Sequence, residues 1–211
     1  PSQKKDWRPG IQDKMKITLA VGNENPFLQI ENAIVKPVRL YAQEESGNDS
    51  SFVVFLELNI VENDIEYSTS LNYRLTKDGR LDKDYPKAFG KNLFGLEIDD
   101  NKMEFFLTVE KNDFKKSFFL DLNQECRIED LTLRFDMSIT EWASYSPNEP
   151  AYNIGNAWIK LFRNGAEKTL YINSERLFED KKIAFTWKKY RIWVLSFFET
   201  FVQLKVEKII D

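Results

Sequence analysis

The 211-residue chain predicts an all-β protein: an antiparallel β-sandwich, in two tandem immunoglobulin-like units with one or two short helices. Three observations lead there. Apolar residues recur at every second position in many short runs, no segment holds a 3.6-residue period over three turns, and Gly-, Asn- and Asp-rich turn signals fall between the runs. Strand side chains point to alternate faces, so this alternation marks a sheet with one wet and one dry face, the habit of antiparallel sheets. The 17 Phe and 8 Tyr agree, because aromatic rings fit a pleated, half-buried surface.

The elements follow in chain order. Met15, Ile17, Leu19 and Val21 alternate with polar or small residues. Ala33–Tyr41 is extended, with Pro37 expected at an edge or a bulge because it cannot donate to a ladder. Phe52–Leu56 and Tyr190–Leu195 are more apolar, as in strands covered on both sides or a strand with a sticky outer face. Met103, Phe105, Leu107 and Val109 form another alternating run, and Val202, Leu204 and Val206 a late one. The cleanest is Leu131, Leu133, Phe135, Met137 and Ile139, which predicts five side chains on one dry face. Asn164-Gly165 reads as a hairpin turn, and Asp99-Asp100-Asn101 as another. Short helices are expected at Ser174–Phe178, capped by Ser174, and near Tyr85–Phe89.

Two stretches echo each other. Residues 91–96 through 107–111 parallel residues 189–194 through 204–208, each ending in Val-Glu-Lys. Upstream, Ile30-Glu31-Asn32-Ala33-Ile34 loosely matches Ile154-Gly155-Asn156-Ala157-Trp158. The resulting expectation is a polar tether over 1–10, a sandwich unit over 11–112, a connector over 113–130, in which Phe118, Leu120 and Leu122 suggest a strand of its own, and a second unit over 131–211. One continuous sandwich of ten or more strands competes with it. The general look resembles immunoglobulin-like envelope or adhesion modules, an analogy of fold that does not fix function.

Composition removes several chemistries. There is no histidine, so Ser–His–Asp and Cys–His catalysis are impossible and a zinc site is improbable. The phosphate-cradling glycine motifs and the hydrolase elbow are missing. Cys126 is the one cysteine, so no internal disulfide forms, and it reads as a structural thiol. The net charge of −4 gives no global pull toward nucleic acid or anionic membrane. No apolar run reaches the roughly 20 residues of a membrane-spanning helix. No cofactor or metal is expected; the Asp78–Asp84 loop fails calcium-loop spacing, and Arg80 and Lys83 would repel a cation.

Two aromatic groups are candidate binding residues. In residues 181–193, basic and aromatic side chains interleave, and on a single strand Trp187, Lys189, Arg191 and Trp193 would share one face. Such a face can stack sugars or nucleobases, or anchor a protein. The competing reading buries the tryptophans and leaves the lysines as a solvated edge. The second group is Trp142, Tyr145, Tyr152 and Trp158 around the loop at 144–153; it is either a sugar-stacking platform or a cap on a sandwich end. The favoured expectation is a non-catalytic binding or assembly module for a protein or glycan, at the cell envelope and outside the cytoplasm, consistent with a lipid-anchored stalk. A single-stranded nucleic-acid binder using 181–193 is the second expectation. The third is a glycoside hydrolase working with carboxylates, for which Glu57, Glu62, Glu66, Glu97 and Glu104 lie on or near strands without selecting a pair.

Overall fold

The computed structural model describes residues 14–21, 25, 27–44, 52–75, 81–82, 86–99, 101–114, 116–143, 152–180 and 182–209. Among them the element order is β1 (Met15–Leu19), β2 (Leu28–Ile30), β3 (Ala33–Glu44), β4 (Phe52–Glu62), β5 (Ile65–Leu75), β6 (Leu81–Asp82), β7 (Lys87–Phe89), β8 (Asn92–Asp99) and β9 (Glu104–Lys111). Then come β10 (Ser117–Asp121), β11 (Glu125–Ile128), β12 (Leu131–Ala143), β13 (Tyr152–Arg163), β14 (Ala166–Asn173), α1 (Ser174–Asp180), β15 (Ile183–Trp187), β16 (Tyr190–Phe197) and β17 (Phe201–Lys208). The protein is nearly all β, and its paired strands are antiparallel apart from the short β7–β10 contact. No helix among the described residues is long and apolar enough to cross a membrane.

The chain forms two compact units, Pro1–Asp84 with Phe94–Glu110, and Tyr85–Leu93 with Lys111–Asp211. In the first unit β2 to β6 form a sheet whose neighbours in space are neighbours in sequence, and β1 pairs with β9. Val35, Leu56, Leu58 and Ile60 are buried on one side of that sheet. Pro37 lies in β3 beyond the reach of β2 and beside a bulge at Val38, where a missing N–H leaves no ladder unpaired.

In the second unit β11 to β14 form another consecutive sheet, while β10, β17, β16 and β15 lie side by side with β7 at the β10 end. Both sheets contribute to one buried cluster: Leu133, Phe135, Ile159 and Leu170 from the first, Phe118, Ile192, Val202 and Leu204 from the second. The stretch expected as a connector, 113–130, supplies β10 and β11 and buries Phe118, Leu120, Cys126 and Ile128 there. Desolvation, with the Glu125 charge second, pushes the Cys126 thiol well above the ordinary range.

Four local expectations change. Residues 87–89 near the second expected helix are strand β7, paired in parallel with β10; Tyr85 lies outside the described residues. The helix at Ser174 forms, but Asn173 caps it, its Oδ1 accepting from the N–H groups of Glu175 (3.0 Å) and Arg176 (3.3 Å). Ser174 Oγ instead accepts from the Gly155 N–H at 2.8 Å. The expected echo of Ile30–Ile34 in residues 154–158 does not hold, since the first is the β2–β3 turn and the second the interior of β13. Finally, Leu131 to Ile139 do not share a face. The ladder register slips at Asp136, which stands opposite no residue of β13, so Leu131, Leu133 and Phe135 are buried while Met137 and Ile139 point outward.

Candidate functional site

The outward face of β12–β14 is built by that bulge. Beyond it, Met137 sits opposite Trp158 and Trp158 opposite Tyr171; one step along, Ile139 sits opposite Asn156 and Asn156 opposite Asn173. Met137 is 44% exposed and Ile139 and Tyr171 are each 53% exposed, so apolar side chains lie together in solvent. The Trp158 and Tyr171 rings are 5.5 Å apart and tilted by 59°. Tyr171 donates its hydroxyl to Asn156 Oδ1 at 2.5 Å, and Asn173 Nδ2 donates to the same oxygen at 3.1 Å. This network fixes the Tyr171 ring beside Trp158 rather than leaving it to swing.

Two borders frame the patch. On one side Asp136, the bulged residue, is paired with Lys160 (3.1 Å) and Arg134 (3.4 Å), two cations against its one carboxylate. On the other side lies a depression of about 280 Å³ lined by Ile139, Glu141, Ile154, Gly155, Asn156, Asn173, Ser174 and Glu175. Glu141 and Glu175 are exposed, and the depression has no basic lining residue. Gly155 leaves room for the neighbouring strand: a Cβ there would stand 2.0 Å from the Ile139 carbonyl oxygen. Such a surface can hold an apolar group on fixed rings and a positive group against carboxylates. It carries no nucleophile–base pair.

The sequence-predicted residues divide. Of the second group, Trp158 is in the patch, Trp142 and Tyr152 fall on the paired ends of β12 and β13, and Tyr145 lies outside the described residues. The first group does not share a face, because residues 183–197 are a hairpin rather than one strand. Trp187 ends β15, Lys188 turns the chain at φ 55°, and Tyr190 opens β16 opposite Trp187. Trp187 packs against the buried cluster, while Trp193 is on the other face, opposite Lys205. Lys182 and Arg191 lie over the Trp193 ring at 4.8 and 5.9 Å. The Trp193 indole, then Lys205, holds the Glu207 carboxyl below its usual range, although the indole N–H makes no hydrogen bond of full geometry. Lys189 is drawn toward Asp130 (3.5 Å) and Glu129 (3.8 Å). Lys182, Lys189 and Arg191 thus lie against the Tyr190 and Trp193 rings or nearby carboxylates.

Two of the five carboxylates considered for hydrolysis are partnered: Glu97 pairs with Lys14 and Lys16, and Glu66 accepts from Asn59. The Asp78–Asp84 loop lies outside the described residues except for Leu81–Asp82 in β6. Met137, Ile139, Glu141, Asn156, Tyr171, Asn173 and Glu175 escape the sequence reading, because unbroken alternation hides the bulge that turns the first two outward. No family model and no curated protein matches the chain.

Proposed function

We propose that this protein is a non-catalytic binding or assembly module that receives a protein or glycan partner on the outward face of β12–β14. The observation that carries the reading is the parity of the chain around the two bulges. In β3 the bulge at Val38 is followed by a matching shift in sequence, so Leu40 is buried and Arg39 faces out. In β12 the bulge at Asp136 meets no such shift, and Met137 and Ile139 are left in water. Exposed apolar groups clustered in this way mark interaction surfaces.

We further infer that the two units are tandem copies of one β-sandwich design. Glu31 and Glu129 both turn the chain in the left-handed region, at φ 51° and 52°. The bulged residue comes seven positions later in both, at Val38 and Asp136. The next hairpin then turns on Asn63-Asp64 or Asn164-Gly165, all four at positive φ. β1 pairs with β9 as β10 pairs with β17. The consecutive order of β11–β14 differs from the immunoglobulin strand order, so that likeness stays at the level of layered sheets.

On this alignment, Met137, Ile139, Trp158 and Tyr171 correspond to Arg39, Tyr41, Glu57 and Ser70. The first unit therefore builds the same sheet with polar and charged groups at three of the four places. The patch is not a requirement of folding.

The test transfers those residues. A Met137→Arg, Trp158→Glu, Tyr171→Ser variant should keep the wild-type circular dichroism spectrum and melt within a few degrees of it. Displayed peptides and arrayed glycans that bind the wild-type chain should lose binding to the variant by tenfold or more. Equal binding by both chains, or no ligand of either class, would refute the reading.

A further inference from the structure

We propose that the partner on this face is a protein segment that places a lysine or arginine side chain between Glu141 and Glu175 and lays neighbouring apolar side chains on Met137, Ile139, Trp158 and Tyr171. The inference rests on the binding reading above and names the partner's chemistry. Charge complementarity selects it. The patch has one border where the Asp136 carboxylate is matched by two cations, Lys160 and Arg134, and one border left anionic. Glu141 and Glu175 make no ion pair among the described residues, and the depression between them offers the amides of Asn156 and Asn173 and the hydroxyl of Ser174 as its other polar groups. A carboxylate or phosphate there would be repelled by both glutamates. A cation would find two carboxylates, with an aromatic pair nearby for the stem of its side chain.

The apolar part decides between peptide and sugar. Met137 and Ile139 lie directly beside the rings, and the Trp158 and Tyr171 planes are 59° apart. A pyranose stacks on one flat, open ring and brings hydroxyls that Met and Ile cannot satisfy. Aliphatic or aromatic side chains of a peptide fill a tilted, uneven surface and bury all four groups. Aromatic residues and Met are enriched at the centres of protein interfaces, with polar groups at the rim, and the patch has that layout.

The experiment is a random-peptide display selection on the full chain, followed by fluorescence titration of the recovered peptides. The selection should enrich Lys or Arg flanked by aliphatic or aromatic residues. Glu141→Lys with Glu175→Lys should weaken those peptides at least tenfold, and raising salt from low to high should weaken wild-type binding several-fold, since exposed charges are screened. The triple face variant should abolish binding. If the face variant abolishes binding but the charge-reversed variant and salt leave it unchanged, the cationic partner is wrong and the binding face stands. Loss of glycan binding in the face variant, with no peptide bound by either chain, likewise overturns the cationic partner and keeps the face. If the face variant binds as well as wild type, both fail. Should the charge-reversed chain misfold, Glu141→Gln with Glu175→Gln gives the same comparison at smaller amplitude.

Discussion

Asp130 shows how much one side chain organises. It sits in the β11–β12 turn and accepts from the Tyr190 hydroxyl at the start of β16 and from Arg163 Nε at the end of β13, the latter at 2.8 Å. One carboxylate thus ties both sheets of the second unit. The bond from Tyr190, then that from Arg163, holds the Asp130 carboxyl far below its usual range. Burial, then the bond to Asp130, pushes the Tyr190 phenol above its own. A lowered carboxyl stabilises the fold above its unfolded pKa, about 3.9, and that contribution is lost as pH falls below it. A raised phenol stabilises below about 10, and that contribution is lost as pH rises further. The urea midpoint should therefore be flat between these limits and fall on both sides. Asp130→Asn should lower the plateau and remove much of the acid-side slope; an unchanged acid-side slope would show that the carboxylate is not the group responsible. Tyr190→Phe should flatten the alkaline side.

At the scale of elements, two glycines of the second unit serve different needs. Gly165 has φ +76° and open space around it, so Gly165→Ala should cost about 1 kcal/mol of backbone strain and leave the core intact. Gly155 has no unusual φ but no room, since the obstacle is the backbone of Ile139. Gly155→Ala should force β12 and β13 apart locally and cost about 1–3 kcal/mol, with a changed Trp158 environment seen in fluorescence. Denaturation of the two variants separates the causes: a Gly155→Ala chain as stable as wild type would mean the strands part freely. The Gly165 turn is legible in sequence because Asn-Gly between alternating runs has few other uses. The Gly155 constraint is not, because it depends on a partner strand. The same holds for Trp187 and Trp193: each lies where a strand was expected, but a two-residue turn in between reverses the face, and Lys188-Lys189 carries none of the usual turn residues.

Across the whole molecule, the β-rich architecture, most strand positions and the turn at 164–165 can be read from alternation, because burial of one face imposes it on any half-covered sheet. What cannot be read is where alternation is interrupted without a mark in composition. Cys126 offers a global check. Fully buried, with its thiolate disfavoured, it should react with a thiol reagent at neutral pH orders of magnitude more slowly than glutathione. Labelling should appear along the same urea curve as loss of the second unit's structure; rapid native labelling would mean that this cluster opens readily. A final consequence concerns Asp136. Its place outside the ladder, more than its identity, decides which side chains beyond it meet the solvent. Were Asp136 paired opposite Trp158 in regular register, Met137 would stand opposite Ala157 and turn with Ile139 to the interior, and Ser138 and Thr140 would take their place outside. Recognition by this protein is then set by the register of one ladder, and sliding that register by a single step would hide the patch without altering any contacting side chain.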